Sequence, residues 1–240
     1  MKIILSFLMV CSGTVIYGQA PDHKVFSELL TKYVSKDGKV NYTGFIDDRE
    51  LFQRYLNSLS QNPPTKSWTA NQRKAYWINA YNAFTIKLIV DNYPVKSIKD
   101  LGGWIYKVNT AWDIRFIKIG TETLDLNNIE HEKLRREFDD PRIHFAIVCA
   151  SKSCPKLMNE AYVAEKLEEQ LDEAGRSFLN DPSRNKISRD NVELSSIFKW
   201  YKGDFTKKTT LIEFVNRFTT QKISRDATIG YLDYDWSLNE

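Results

Sequence analysis

The chain has 240 residues, of which 42% are hydrophobic, 27% charged and 13% aromatic. These proportions are typical of a folded globular protein, and they exclude a collagen-like, low-complexity or intrinsically disordered chain. The formal net charge of +3 is close to balance. The sequence therefore has no global field to attract nucleic acid, and we expect no nucleic-acid partner.

The first residues are typical of a secretory signal. Lys2 supplies a positive charge, residues 3–10 form a short apolar run, and small or polar residues follow. This order predicts a signal peptide over residues 1–18, too short to anchor the chain in a bilayer. Cleavage after Gly18 and cleavage after Ala20 both fit the pattern. We expect an exported protein, periplasmic or extracellular, with no integral membrane segment once the signal is removed.

Helical periodicity dominates the first half of the chain. Apolar residues recur at helical spacing over residues 25–34, 46–59 and 70–91, and a short strand is expected at 40–42. The third stretch is apolar in nearly every direction, which predicts a long central helix buried on most sides. Asn79 and Asn82 lie within it. Since a buried amide without partners costs about 1–3 kcal/mol, both side chains must find hydrogen bonds.

The rest of the sequence mixes strands with shorter helices. We expect strands at 114–119, 124–126 and 143–148, a helix starting at Asn127 or Asn128, helices at 162–179, 197–201 and 211–218, a hairpin of Ile187 with 192–194, and strands or loops around Trp104, Tyr106, Val108 and Trp112. The aromatic tail at 229–236 should pack back on the body. Together these elements predict one α+β domain over residues 19–240, helix-rich, with a small and mostly antiparallel sheet.

Cys149 is the first candidate for chemistry. It follows the most strand-like run of the sequence and opens a loop of small residues, where a nucleophile could be presented on a rigid backbone. In an oxidising compartment Cys149 could instead pair with Cys154, although the short spacing demands a tight turn. Cys11 falls in the signal and leaves lipidation as an alternative fate of the N-terminus.

A cysteine nucleophile needs a base, and three histidines follow the predicted signal: His23, His131 and His144. On a regular strand His144 would point away from Cys149, which favours His131 on the preceding helix. A partly buried histidine satisfied by a backbone carbonyl is the structural alternative for His131. The candidates to orient the imidazole are Asn79, Asn82, Asp204 and Asp235. The two asparagines could equally act as polar clamps on helix ends or loops.

Metal and polyanion binding compete with this interpretation. His131, Cys149 and Cys154 could form a three-ligand zinc set, but the cysteines lack the C-x-x-C spacing, so we expect no metal and no cofactor. Residues 199–208 mix lysines with aromatic residues, as a polyanion-binding segment does. The same mixture is typical of a helix whose lysines face outward and whose rings pack inward.

Four sequence blocks carry a family resemblance. AYWINAYNA at 75–83, IEH at 129–131, HFAIVCAS at 144–151 and YDWSLN at 234–239 resemble the successive signature blocks of the domain-of-unknown-function 547 family. The resemblance runs from the central helix to the C-terminus. It implies membership of a family found in bacteria and plants, and it implies no established activity.

The resemblance also singles out residues. The family pattern falls here on Trp77, Asn79, Tyr81, Asn82, Glu130, His131 and Cys149. Cys154 matches the bacterial members and looks replaceable elsewhere in the family. This implies that the fold does not depend on a disulfide between Cys149 and Cys154, and it favours Cys149 acting with His131.

The first functional hypothesis is an exported thiol-dependent hydrolase or acyl-transfer enzyme acting on peptide or amide bonds. Cys149 would be the nucleophile and His131 the base, while Asn79 or Asn82 would orient the imidazole or donate to an oxyanion. The residues expected to bind substrate are Trp77, Tyr81, Glu130, Ser151 and Trp236.

The second hypothesis is a non-catalytic envelope domain. It would bind a ligand or partner in an aromatic and asparagine-lined cleft that uses Trp77, Tyr81 and Trp236, and Cys149 and Cys154 would be oxidised to each other. The enzymatic hypothesis requires the central helix, the histidine-bearing helix and Cys149 to meet at one pocket.

Overall fold

The architecture comes from a computed structural model that describes residues 20–103 and 109–240. The predicted signal peptide over residues 1–18 lies outside the described residues, as do Cys11 and the predicted strand or loop residues Trp104, Tyr106 and Val108. Among the residues described, no helix combines the length and the apolarity that crossing a membrane requires.

Four helices form the N-terminal part of the fold. They are α1 (Lys24–Tyr33), α2 (Tyr42–Asp47), α3 (Arg49–Gln61) and α4 (Ala70–Asp91). The sequence predicted one helix over 46–59 and a strand at 40–42, whereas the structure has α2 and α3 over these residues. The side chain of Asn41 accepts a hydrogen bond from the Gly44 amide and starts α2 there, so Val40 forms only an isolated bridge with Val34.

Helix α4 is the centre of the molecule, as predicted. Thr69 and Gln72 form a reciprocal capping box that fixes its first turn. Nearly all of its residues from Lys74 to Val90 are buried, and α2, α3 and a later π-helix pack around it. A helix that is apolar all round can be stable only when other elements cover every side of it.

The middle of the chain contains little regular strand. Strands β1 (Ile117–Ile119) and β2 (Glu122–Leu124) form an antiparallel hairpin, and short 3₁₀-helices occupy Ile98–Asp100, Ala111–Asp113 and Pro141–Phe145. The predicted helix after Asn127 is a π-helix, Asn128–Arg135. Strand β1 is therefore shorter than the predicted 114–119, and β2 has the predicted length but begins two residues before the predicted 124–126.

The strand predicted over residues 143–148 does not form. Pro141 opens a 3₁₀-helix instead, and the side chain of Asp140 accepts a hydrogen bond from the Arg142 amide at its start. The amides of Ala146 and Ile147 then bond to the Ile143 carbonyl. Every residue of the run is buried, so its continuous apolar pattern could not distinguish a strand from a buried turn of helix.

The C-terminal half packs short elements around a second hydrophobic cluster. Its elements are α5 (Leu167–Leu179), β3 (Lys186–Ile187), β4 (Asn191–Leu194), α6 (Ile197–Trp200), α7 (Lys202–Phe205), α8 (Leu211–Asn216) and β5 (Thr228–Tyr231). The predicted hairpin is confirmed as β3 and β4, which pair antiparallel. Strand β5 adds to β4 in parallel, which the sequence pattern did not predict.

Helix α5 begins at Leu167 and not at the predicted residue 162. The amide and the carbonyl of Tyr162 both bond to the side chain of Asn79, and the amide of Val163 bonds to Gln170. These bonds hold the segment before α5 in a non-helical path.

Phe145 joins the two halves. It is buried in the second cluster against the rings of Phe178, Phe198 and Phe205, while its chain neighbours belong to the cluster around α4. The protein is thus one α+β domain, as predicted.

Helices α1 and α3 are linked by a buried histidine. Nδ1 of His23 lies 2.8 Å from the Tyr55 hydroxyl. Burial lowers the pKa of His23 from 6.5 to about 4. Between these two pH values the folded chain binds fewer protons at this site than the unfolded chain does, so folding stability falls as the pH drops through this window.

We predict that His23→Asn flattens the pH dependence of stability. Relative to the variant, the wild-type free energy of unfolding should fall by up to about 3 kcal/mol between pH 7 and pH 4, the energy equivalent of this pKa shift. Urea denaturation across that range measures the difference. Asn57→Ala is the control, because Asn57 is exposed and does not titrate, so its profile should run parallel to that of the wild type. Parallel profiles for all three proteins would contradict the prediction.

Candidate functional site

A cavity of about 210 Å³ lies between the π-helix, the loop that begins at Cys149, α6 and the C-terminal tail. Six aromatic side chains line it: Tyr81, Trp112, Trp200, Tyr201, Tyr234 and Trp236. The polar or reactive side chains on its wall are Asn127, Glu130, His144 and Cys149. An aromatic wall with a few convergent polar groups is the usual character of a small-molecule site.

Some of the predicted site residues line the cavity, and others do not. Tyr81, Glu130, Cys149 and Trp236 line it, and Ser151 lies directly behind Cys149. The predicted residues that do not line it are Trp77, Asn79, Asn82 and His131.

Cys149 stands on the cavity wall as one half of a disulfide with Cys154, the two Cα atoms being 6.4 Å apart. The Sγ atom of Cys149 lies 3.3 Å from the Ser151 hydroxyl and 3.4 Å from the Tyr234 hydroxyl. Ala150 has a φ of 59°, a strained conformation for a residue other than glycine and one that clusters at functional sites. In this oxidised form Cys149 has no thiolate to attack a substrate.

Two buried asparagines of α4 act as clamps on the backbone. Asn82 donates to the Ala146 carbonyl at 2.9 Å and accepts from the Val148 amide at 2.9 Å, and so fixes the chain just before Cys149. Asn79 makes the same pair of bonds with Tyr162. Both amides therefore have the partners that their burial demands, and neither orients an imidazole.

The imidazole on the cavity wall belongs to His144. Because residues 141–145 are a 3₁₀-helix, the expectation that His144 points away from Cys149 is wrong, and both side chains line the same cavity. Nε2 of His144 lies 2.7 Å from an Asp204 carboxylate oxygen, and the ring stacks on Tyr201 with the centroids 4.0 Å apart. Within the described residues, Nδ1 makes no hydrogen bond.

His131 has a different place. It is exposed on the π-helix, and its Nδ1 accepts a hydrogen bond from Arg135 at 2.9 Å. The same guanidinium donates to both carboxylate oxygens of Asp204, at 2.6 and 3.0 Å. His131 thus touches the outer end of a network whose inner end is His144.

Asp204 is the orienting carboxylate of this network. The hydrogen bond from His144, and after it the bonds from Arg135, hold the pKa of Asp204 well below its usual range. Asp204 therefore stays ionised and fixes the imidazole in place, as a third member does in triad-type sites.

Glu130 is the buried carboxyl group of the site. Its side chain lies beneath the cavity wall with 4% exposure. Oε2 accepts a long hydrogen bond from the Tyr81 hydroxyl at 3.3 Å, and Tyr81 in turn accepts from Trp112 Nε1 at 3.1 Å. Within the described residues, Oε1 has no hydrogen-bond partner. A buried carboxylate in this condition is expensive unless something compensates its charge.

The remaining predicted residues divide between two places. Trp77 is buried on α4 one turn before Tyr81, edge-on to Tyr76 and beneath the Lys133 ammonium, and it lines a separate cleft. Trp236 stacks on Trp200 and meets Trp112 edge-on, so it belongs to the aromatic wall.

The zinc set weighed from the sequence does not assemble. In the part of the chain that the structure describes, no group of three or more His, Cys, Asp or Glu side chains is placed to hold a metal ion. His131 lies with Arg135, while both cysteines are joined to each other.

Residues 65–179 match the family described as "Protein of unknown function, DUF547". This match assigns the segment, though not the rest of the chain, to the DUF547 family. No curated protein and no solved structure matches the chain. The matched residues hold α4, the π-helix and both cysteines, and therefore one side of the cavity.

The other side of the cavity lies beyond the matched DUF547 segment. Trp200 and Tyr201 come from α6 and its end, and Tyr234 and Trp236 come from the tail, whose YDWSLN block resembles the family but falls outside the match. The predicted packing of this aromatic tail is confirmed by the contact between Trp236 and Trp112.

Sequence reasoning did not assign to the site four aromatic residues and one histidine that line the cavity: Trp112, Trp200, Tyr201, Tyr234 and His144. Two signals were present. Residues 199–208 mix bulky rings with lysines, and the tail is too aromatic to be left in water. Neither signal says which other element the rings will face, so the wall could not be assembled from the sequence.

We predict that Asn82→Ala destabilises the fold by about 2–5 kcal/mol, because it leaves a buried amide and a buried carbonyl without partners. Chemical denaturation measures the change. Asn57→Ala is the control, since Asn57 is exposed on α3 and should shift stability by no more than about 0.5 kcal/mol. Equal effects of the two substitutions would show that the Asn82 amide does not hold the loop before Cys149.

Proposed function

We propose that this protein binds a small organic molecule in the cavity between the π-helix, α6 and the C-terminal tail. The observation that carries the proposal is the convergence of six aromatic rings with Glu130 and His144 on one cavity wall. Aromatic rings supply contact area at little entropic cost, and the few polar groups supply orientation. Ligand binding alone accounts for this arrangement of rings and polar groups.

The cavity volume limits what can bind. About 210 Å³ is below the range of roughly 300–1,000 Å³ that is usual for drug-sized ligands. The site therefore suits a small metabolite, or a single terminal group of a larger molecule. An exported chain, as the N-terminal sequence predicts, would meet this ligand outside the cytoplasm.

Trp200 marks the mouth of the cavity. Its side chain is 47% exposed, which is unusual for a large ring. The ring also contacts Tyr234 and Trp236 of the cavity wall. An exposed aromatic side chain at the rim of an aromatic pocket is typical of a ligand-binding surface.

We predict that Trp200→Ala weakens ligand binding without unfolding the protein. A fragment library screened by saturation-transfer NMR identifies bound compounds, and their affinities should fall roughly 3- to 10-fold in the variant, the equivalent of one lost aromatic contact. Lys199→Ala is the control, since Lys199 is the exposed neighbour and does not line the cavity. The proposal fails if no compound binds, or if all bound compounds ignore Trp200.

A second candidate function is thiol-dependent acyl transfer or hydrolysis. It is favoured by the shared cavity of Cys149 and His144 and by the Asp204 carboxylate behind the imidazole. A dithiol reductant would first open the disulfide. The Cys149 thiolate would then attack an amide carbonyl carbon, and His144 would pass the thiol proton to the leaving amine as the C–N bond breaks. His144 takes the role that the sequence assigned to His131.

The labelling kinetics of Cys149 test this second candidate. Without reductant, iodoacetamide should not label Cys149. After reduction, Cys149 should react about tenfold faster than an ordinary thiol with a pKa near 8.5, because a neighbouring imidazole raises its thiolate fraction. We expect His144→Ala to abolish the excess rate and His131→Ala to leave it unchanged. Equal rates in the reduced wild type and both variants would remove the candidate, and loss of the excess only in His131→Ala would restore the original pair.

A further inference from the structure

We propose that the ligand of the cavity carries a positively charged ammonium group and that Glu130 is its counter-ion. This inference rests on the proposed function, since it names the chemical class of the molecule that the cavity binds. It follows from the state of one carboxylate, from the charges around it and from the rings that face it.

The Glu130 carboxylate is poorly satisfied by the protein. Its side chain is 4% exposed, and Oε1 has no hydrogen-bond partner among the described residues. The carboxylate interacts only weakly with two tyrosine hydroxyls, that of Tyr81 at 3.3 Å from Oε2 and that of Tyr201. Carboxylates that stay ionised inside proteins are normally paired or accept several strong hydrogen bonds. Glu130 has neither kind of support.

The cationic side chain near Glu130, Arg135, already forms an ion pair with Asp204. Arg135 lies over the Tyr201 ring, 5.1 Å from its centroid, but its guanidinium donates to both oxygens of Asp204. Asp204 and Arg135 therefore neutralise each other, and Glu130 forms no ion pair with a described residue. A cationic ligand would supply the ion pair that Glu130 lacks.

The rings of the wall suit the same charge. Faces of Trp and Tyr attract cations within about 6 Å of the ring centroid, and aromatic cages of this kind recognise quaternary ammonium groups. Trp112, Trp200, Tyr234 and Trp236 surround the cavity. Trp236 already accepts one cation, because the Lys99 ammonium lies 5.1 Å from its centroid.

The buried carboxylate and the aromatic rings together argue against two other ligand classes, apolar molecules and anions. A purely apolar ligand would leave Glu130 uncompensated in a drier site, which raises the cost of its charge. An anionic ligand would be repelled by the same carboxylate. A compact ammonium group gains from both the carboxylate and the rings, and it fits a cavity of about 210 Å³.

The experiment compares a cation with its neutral shape analogue. Choline and 3,3-dimethylbutan-1-ol are titrated against the full-length protein, with tryptophan fluorescence and isothermal calorimetry as readouts. We expect choline to bind at least about tenfold more tightly than the alcohol. Glu130→Gln should remove this preference, because the neutral amide neither attracts choline nor opposes the alcohol. Glu132→Gln, on an exposed position of the same π-helix, should behave as the wild type.

The outcomes separate this inference from the function on which it rests. Equal affinity for choline and the alcohol overturns the cation assignment while ligand binding stands. Binding of neutral fragments that depends on Trp200, without binding of choline, overturns it too. If no compound of any kind binds, the proposed function itself fails. Should Glu130→Gln not fold, the comparison of choline with the alcohol in the wild type still decides.

Discussion

The burial of helix α4 is the constraint from which the rest of the structure follows. Its apolar residues point in every direction, so other elements must cover all of its sides. Asn79 and Asn82 then have no access to water, and each must find a backbone segment that offers both a donor and an acceptor. Tyr162 provides this donor and acceptor for Asn79, and the turn from Ala146 to Val148 provides them for Asn82. The side-chain amides of Asn79 and Asn82 thus fix two long-range connections of the fold.

The clamp at Asn82 also sets the position of the cavity. It holds the chain immediately before Cys149, and the disulfide to Cys154 together with the bonds to Ser151 holds the chain after it. The tail then returns to this loop, since Tyr234 bonds to Ser151 and Trp236 reaches Trp112. A rigid loop, a buried helix and an aromatic tail therefore meet around one space.

The two functional proposals use this space in different redox states. With the disulfide formed, Cys149 is part of the wall, and the chemistry left in the cavity is the charge of Glu130 beside aromatic faces. With the disulfide reduced, the second candidate function would use the Cys149 sulfur as nucleophile, the His144 imidazole as base and the Asp204 carboxylate as orienting group.

The sequence by itself determined the elements that local periodicity describes. It predicted α1, α4 over residues 70–91 and the hairpin of β3 with β4, because an amphipathic or wholly apolar period is a property of neighbouring residues. It also predicted that Asn79 and Asn82 need partners, that the tail packs back, and that Tyr81, Glu130, Cys149 and Trp236 belong to a site.

Only the tertiary structure decided which groups face one another. The run at 143–148 is buried on every side, so it carries no period to reveal a 3₁₀-helix. The expectation that His144 points away from Cys149 was wrong for that reason. His144 and Asp204 are sixty residues apart, and Trp112 and Trp236 are farther. Contacts of this kind arise from how separate elements pack, and no local pattern in the chain encodes them.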